Sequence, residues 1–170
     1  MSSLRNCSIF LFALGCIIVL GCTGGNSGPD PEQTARMLFE MEWEDRMEET
    51  WDLFHPIWHK YGFDGNYARY ANDMGKKNKV WAEHPRTITR SKSFSGNEIP
   101  IGAQRFAVDL GRDKYDFSVV RIAIDYPKVE GYRGGAVEYL ITLAKKKEKG
   151  SQWQIISQID EVGVTSFFNW

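Results

Sequence analysis

Two histidines four residues apart are the first candidates for chemistry in this sequence. On a continuous helix, His55 and His59 would place both imidazoles on one face, where they could hold a metal ion. Pro56 lies between them, however, and a helix tends to end before a proline. A zinc site also needs at least a third protein ligand, and nothing in the sequence brings His84, the remaining histidine, near the pair. We therefore expect no metal and no other cofactor, and we interpret the pair as capping or packing groups near a helix end.

Acid–base chemistry would need a carboxylate or imidazole whose pKa is raised by burial. Five charged residues alternate with apolar ones in predicted strands: Arg105, Asp109, Arg121, Asp125 and Glu138. One of them could face a cavity and pair with another, but charged side chains are rarely buried unpaired, so we expect them on the solvent-facing side of a sheet. The sequence also lacks a Gly-x-Ser-x-Gly turn, a phosphate-binding glycine loop and any cysteine beyond residue 22. We assign no catalytic residue and favour a protein that is not an enzyme.

Aromatic residues are dense between residues 43 and 70. Five of them form a candidate pocket for a small apolar ligand: Trp43, Trp51, Phe54, Trp58 and Tyr67. The same rings could instead form the core of a domain without disulfide bonds, each burying ~150–250 Å², and we favour this second interpretation.

The N-terminal residues resemble a bacterial lipoprotein signal. Arg5 precedes a short apolar run, residues 9–20, which is followed by Gly21 and Cys22. The resemblance implies cleavage between Gly21 and Cys22, with a lipid on the Cys22 sulfur. An uncleaved anchor is the alternative, but a membrane-spanning helix needs about 20 apolar residues, and a signal core of roughly 7–15 fits this run better. The run ends before Cys22, whereas cleavage at Cys16 would leave it too short.

The chain therefore divides into three parts. Residues 1–21 are the predicted signal peptide, residues 22–31 are the lipidated cysteine and a flexible tether rich in glycine and proline, and residues 32–170 form a single domain. This organisation predicts a membrane-anchored protein of the cell envelope that faces the periplasm or the exterior. Lys and Arg number 21 against 22 Asp and Glu, and the basic residues are scattered, so we do not expect a nucleic-acid partner.

Hydrophobic periodicity predicts helices first and strands after them. Apolar residues three or four apart predict one long helix over residues 32–54, bounded by Pro56, and a short second helix over residues 67–74, ended by Gly75. A period of two then predicts strands over residues 87–94, 105–110, 117–126, 136–144 and 153–159. Short connections leave no room for crossover helices, so the sheet should be antiparallel. The predicted fold class is α+β, with the helices covering one face of a curved antiparallel β-sheet.

This order of elements resembles the NTF2-like (SnoaL-like) superfamily. The likeness is carried by the end of the first helix, Trp-Asp-Leu-Phe-His-Pro at residues 51–56, and by the last hairpin, residues 137–143 and 152–156. It implies a conical domain whose open end often forms a cavity between helices and sheet. Residues 78–102 depart from the pattern and leave the strand register there open. A cystatin-like fold, with a helix on a sheet, is the alternative.

Three classes of function remain, because a fold does not define an activity. We expect a non-catalytic binding or accessory module, with the membrane as one partner and a small apolar ligand or an envelope protein as another. A ligand-binding protein would have an apolar cavity behind the first helix. An interaction subunit would have that cavity filled and an exposed apolar patch, for which the aromatic residues 167–170 are candidates. An enzyme would have a buried carboxylate or histidine beside a polar cavity residue.

Overall fold

The computed structural model describes residues 28–81, 83–95, 99–129 and 134–160. The predicted signal peptide, Cys22 and the aromatic residues 167–170 lie outside these ranges. The elements follow the chain in the order α1 (Pro31–Trp43), α2 (Met47–Leu53), α3 (Pro56–Gly62), α4 (Tyr67–Trp81), β1 (Thr87–Ser95), α5 (Ile101–Leu110), β2 (Tyr115–Tyr126), β3 (Gly135–Lys146) and β4 (Gln154–Asp160). Within the described ranges, every helix is too short or too polar to cross a bilayer.

The four strands form an open antiparallel sheet in the order β1-β2-β3-β4. The two central strands pair along their whole length, from Tyr115 opposite Lys146 to Tyr126 opposite Gly135. The α+β class and the antiparallel sheet are therefore confirmed. Four of the five predicted strands correspond to β1, β2, β3 and β4.

Helices α1 to α4 cover one face of this sheet. Alternate residues of the central strands point towards them and are buried, as the period of two requires. From β2 these residues are Val120, Ile122, Ile124 and Tyr126, and from β3 they are Val137, Tyr139, Ile141 and Leu143. Leu38 and Phe39 of α1 and Phe54 and Tyr70 complete the same core.

The prediction of one helix over residues 32–54 is wrong, because a turn separates α1 from α2. Asp45 has a left-handed backbone with φ of 56°. The N–H of Arg46 donates to the carbonyl of Met41 at 2.9 Å, and the N–H of Asp45 donates to the carbonyl of Glu42 at 3.2 Å. This pair of hydrogen bonds defines a Schellman helix end, which is usually closed by glycine. An aspartate in that position gives no comparable signal in the sequence.

The region between α2 and β1 also differs from the prediction. Pro56 begins the helix α3, because proline fits the first turn of a helix. This helix was not predicted from the sequence. The predicted second helix is longer than expected, since α4 continues through Gly75 to Trp81. A helical glycine costs only about 1 kcal/mol relative to alanine, which packing of Trp81 in the core can offset.

Residues 105–110, predicted as a strand, lie instead in α5. Ala103 and Ala107 are four residues apart and are buried against Val119, with Leu140 packed beside them. Val119 and Leu140 alternate with the residues that face α1 to α4, so α5 packs on the opposite face of the sheet. The helices predicted from the sequence lie on one face, and α5 adds an unpredicted helix on the other. Residues 111–114 connect α5 to β2.

The two edges of the sheet differ. Phe54 forms a parallel bridge with Ile155 of β4, and the N–H of His55 donates to the carbonyl of Ile155 at 2.8 Å. The outer side of β1 has no strand partner within the described ranges. This strand contains a register shift between Ile88 and Arg90 and exposes the side chains of Arg90 and Lys92.

Candidate functional site

A cavity of about 660 Å³ opens where the end of α1, the second half of α4 and the loop before β1 meet. Trp43 and Trp81 supply its aromatic surface, and Gly75 leaves space on the α4 side. Its polar wall includes Asn78 and Arg86. The volume lies within the roughly 300–1,000 Å³ that is usual for small-molecule sites.

Asn78 organises the base of this cavity. The Nδ2 amide of this buried residue donates to the backbone carbonyl of Glu42 and, at 2.8 Å, to Oδ1 of Asp45. Its Oδ1 accepts a hydrogen bond of 3.1 Å from a terminal guanidinium nitrogen of Arg86. Asn78 therefore connects α4 to the turn that ends α1, and through Arg86 it connects that turn to the cavity wall.

Arg86 is the most buried charged residue of the cavity wall. Its guanidinium carbon lies 5.0 Å from the centroid of the Trp43 ring, within range of a cation–π interaction. Burial lowers the pKa of Arg86 below its ordinary value, although the charges of Tyr126, Glu42 and Asp45 oppose this shift. Within the described part of the chain, no carboxylate forms an ion pair with Arg86.

Glu42 is a buried carboxyl group one layer behind the cavity. It is 5% exposed, and the hydroxyl of Tyr70 donates to its Oε1 at 3.2 Å. Burial raises the pKa of Glu42, while Lys77 and the hydrogen bond from Tyr70 partly oppose that rise. Burial and the neighbouring Glu42 also raise the pKa of Tyr70. Glu42 does not belong to the cavity lining, so its proton has no direct route to a ligand there.

The sequence analysis missed Glu42, Asn78 and Arg86. For Glu42 a signal was present, because it lies four residues after Leu38 and three after Phe39 and therefore falls on the apolar face of α1. The role of Asn78 depends on the break between α1 and α2. Its contacts with Glu42 and Asp45 at that break could not be foreseen while the two helices were predicted as one.

The five residues of the predicted pocket are only partly brought together. Trp43 lines the cavity, whereas the other four contact one another in an aromatic cluster beneath α2, α3 and α4. Phe54 and Trp58 stack with ring centroids 3.8 Å apart, and the rings of Trp51 and Tyr67 meet edge to face at 5.7 Å. Rings at these distances and angles are typical of a packed core.

The histidine pair has structural contacts. Nδ1 of His55 accepts a 3.1 Å hydrogen bond from the N–H of Ile57 and so caps α3. The ring of His59 stacks on Trp51 at 3.9 Å, and its Nε2 donates to the Trp51 carbonyl at 2.9 Å. Among the described residues, no three His, Cys, Asp or Glu side chains are grouped so that they could hold a metal ion. His84 is exposed at the mouth of the cavity.

The charged residues of the predicted strands lie away from the cavity. Arg105 and Asp109 are exposed on α5, and Arg121 and Asp125 are exposed on β2, as expected. Glu138 of β3 is half-buried, and its carboxylate forms an ion pair of 3.0 Å with the guanidinium of Arg90 in β1.

In comparisons with known proteins, no protein-family model, curated protein or solved structure matches the chain. The site must therefore be interpreted from its own residues. It combines an aromatic wall, a buried amide with its hydrogen bonds satisfied and a half-buried guanidinium. These groups can bind and orient a ligand, whereas the buried carboxyl group of Glu42 lies outside the lining.

Proposed function

We propose that this protein is a lipid-anchored protein of the bacterial cell envelope and that its domain is a non-catalytic binding module. The anchor is supported by the short apolar run before Gly21 and Cys22 and by the flexible residues that follow. The membrane would then be one partner, reached through the lipid on Cys22. The other partner would be a small molecule.

The observation that carries the binding proposal is the cavity at the end of α1. Its wall presents Trp43, Asn78 and Arg86. The guanidinium of Arg86 contacts the ring of Trp43 and donates a hydrogen bond to the side-chain amide of Asn78. Because Asn78 uses both ends of its amide within the protein, this wall is held in place before a ligand arrives. A preformed cavity of this volume is typical of a binding site, and six of its ten lining residues are polar or charged.

We also propose that the domain is distantly related to the NTF2-like superfamily, with a cystatin-like domain as the alternative. Support comes from the antiparallel sheet with helices packed on one face and from a cavity between those helices and the loop that leads into β1. The helix α5 on the opposite face is an addition to the pattern on which the resemblance was based.

Cavity filling tests the binding proposal. A Cβ added at Gly75 would meet no atom within 4 Å, so Gly75→Leu should place a branched side chain in the cavity and obstruct its α4 side, and Gly75→Ala is the matched control. We expect small aromatic fragments, followed by saturation-transfer NMR, to bind the unchanged protein and Gly75→Ala but not Gly75→Leu. Undiminished binding to Gly75→Leu would show that this cavity is not the site.

The anchor is tested separately by membrane fractionation and intact mass. Cys22→Ser should release the protein from the membrane fraction, while Cys16→Ser should leave it attached and lipid-modified. Protein extracted from membranes with an unprocessed Met1 would refute the lipoprotein assignment.

An interaction subunit of an envelope complex is the second candidate, favoured by the outer face of α5. Ile101 and Val108 lie seven residues apart on one side of this helix, with 87% and 76% of their surfaces exposed. A photo-crosslinker placed at Val108 should then capture one defined envelope protein in living cells, and one placed at Lys114 should not. Equal, diffuse labelling from both positions would argue against this candidate.

A further inference from the structure

We propose that the ligand of this cavity carries a carboxylate group and that Arg86 binds it. The inference rests on the proposed binding function and adds the chemical class of the ligand. Within the cavity lining, the charged side chains of Asp45, Lys79 and Glu83 are exposed to solvent, whereas Arg86 is half-buried.

The surroundings of Arg86 leave most of its hydrogen-bonding capacity unused. A guanidinium has five N–H donors, and one of them donates to Oδ1 of Asn78 at 3.1 Å. The ring of Trp43 covers one face of the group at 5.0 Å but accepts no conventional hydrogen bond. Half of this charge is removed from water, which is costly unless the charge is paired, and among the described residues Glu42 and Asp45 attract it without forming an ion pair. An anionic ligand would supply the missing acceptors.

The charges at the mouth favour a carboxylate over a phosphate. The lining contains two basic side chains, Lys79 and Arg86, and two acidic ones, Asp45 and Glu83. A phosphate monoester carries nearly two negative charges at pH 7 and would be repelled by both acidic residues. Both groups can form two parallel hydrogen bonds with the planar guanidinium, but a carboxylate carries one charge and is therefore repelled less by Asp45 and Glu83.

The fixed position of Arg86 supports the same conclusion. Asn78 holds the guanidinium from one side, and Asn78 is itself fixed by the turn at Glu42 and Asp45. The guanidinium of Arg86 therefore loses little conformational freedom when a carboxylate binds. The apolar body of the ligand would lie against Trp43, because Trp81, the other aromatic residue of the lining, is only 2% exposed.

Matched ligands separate this inference from the general binding function. The intact protein is titrated with benzoate and phenylacetate, with the corresponding neutral amides, and with phenyl phosphate. Binding is followed through the Nε–Hε NMR signal of Arg86, which is assigned by its loss in Arg86→Lys. Arg69→Gln is the control, because Arg69 is an exposed arginine of α4 that pairs with Asp64 at 3.4 Å.

We expect the carboxylates to shift the Arg86 signal and to bind about tenfold or more tightly than their amides, as expected when a charge-assisted pair is lost. Arg86→Gln should remove this preference, Arg86→Lys should reduce it, and Arg69→Gln should keep it. Equal binding of amides and carboxylates, abolished by Gly75→Leu, would overturn the ligand class but leave the binding function intact. Preferred binding of phenyl phosphate would also overturn the class. Failure of every ligand to shift a cavity signal would count against both proposals.

Discussion

The buried carboxyl group of Glu42 leads to a pH-dependent prediction. In the folded protein its pKa lies above the ordinary value of 4.5, mainly because burial disfavours the charged form. Between 4.5 and the pKa of the folded state, the folded protein therefore holds a proton that the unfolded chain has released. The free energy of unfolding contributed by this group is fully present below pH 4.5 and is lost as the pH rises through the folded-state pKa.

Glu42→Gln removes the titration while nearly preserving shape, and its amide can still accept the hydrogen bond from Tyr70. Relative to the unchanged protein, the variant should gain stability with rising pH, by at most about 1.4 kcal/mol per pH unit, because one proton is involved. The gain should begin near pH 4.5 and level off above the folded-state pKa. Each kcal/mol corresponds to a shift in Tm of roughly 2–4 °C for a domain of this size.

Urea unfolding followed by circular dichroism, at pH values from 4 to 8, measures this difference directly. Glu40→Gln is the control, since Glu40 is exposed on the same helix and lies 3.9 Å from Arg36. This variant measures the effect of the same substitution at an exposed position of α1. A constant difference between Glu42→Gln and the unchanged protein over the whole range would refute the reasoning, because it would mean that folding does not shift the pKa of Glu42.

Three further predictions concern the supports of the fold. His55→Ala should cost about 1 kcal/mol in thermal unfolding by removing the α3 cap. Because burial lowers the pKa of His55, the stability that this side chain contributes should be complete above pH 6.5 and decline below it. A loss of stability in His55→Ala that does not vary with pH would contradict this account. Gly134→Ala should destabilise the domain by ~1–3 kcal/mol, since its Cβ would lie 2.5 Å from the backbone nitrogen of Lys128; an unchanged urea midpoint would refute the clash. Phe54→Ala should cost ~3–5 kcal/mol because it empties a fully buried site stacked on Trp58, and calorimetry would disprove this if Tm moved by less than 3 °C.

The sheet was largely predictable from the sequence. The alternation of Val120, Ile122 and Ile124 with Val119 and Arg121 defines β2, and the matching alternation in β3 fixes the pairing of the central strands. The interpretation of the dense aromatic residues as core is supported by Trp51, Phe54, Trp58 and Tyr67, which pack together although the predicted helix is broken. The spacing of apolar residues along the chain predicts which of them become buried. That prediction holds even where the backbone changes direction.

The errors have a common physical cause, because they occur where tertiary contacts override local pattern. Asp45 closes a helix end in the left-handed conformation, where its side chain accepts a hydrogen bond from Asn78 of another helix. In α5 the apolar positions fit both a strand and a helix, and packing of Ala103 and Ala107 on the sheet decides between them. The cavity depends on both the α1 end and the continuation of α4, so no local signal could have located Arg86 there.

The exposed edge of β1 has a consequence for how copies of this protein behave when they are crowded together. An uncovered strand offers unpaired backbone groups to any similar edge, which is how ordered aggregates begin. The irregular step after Ile88 bends this edge, and the exposed positive charge of Lys92 would meet its own counterpart on a neighbouring copy, whereas the charge of Arg90 is paired with Glu138. Two molecules brought side by side would therefore repel each other at the seam where their sheets could merge, and each domain should stay a separate unit even at high local density.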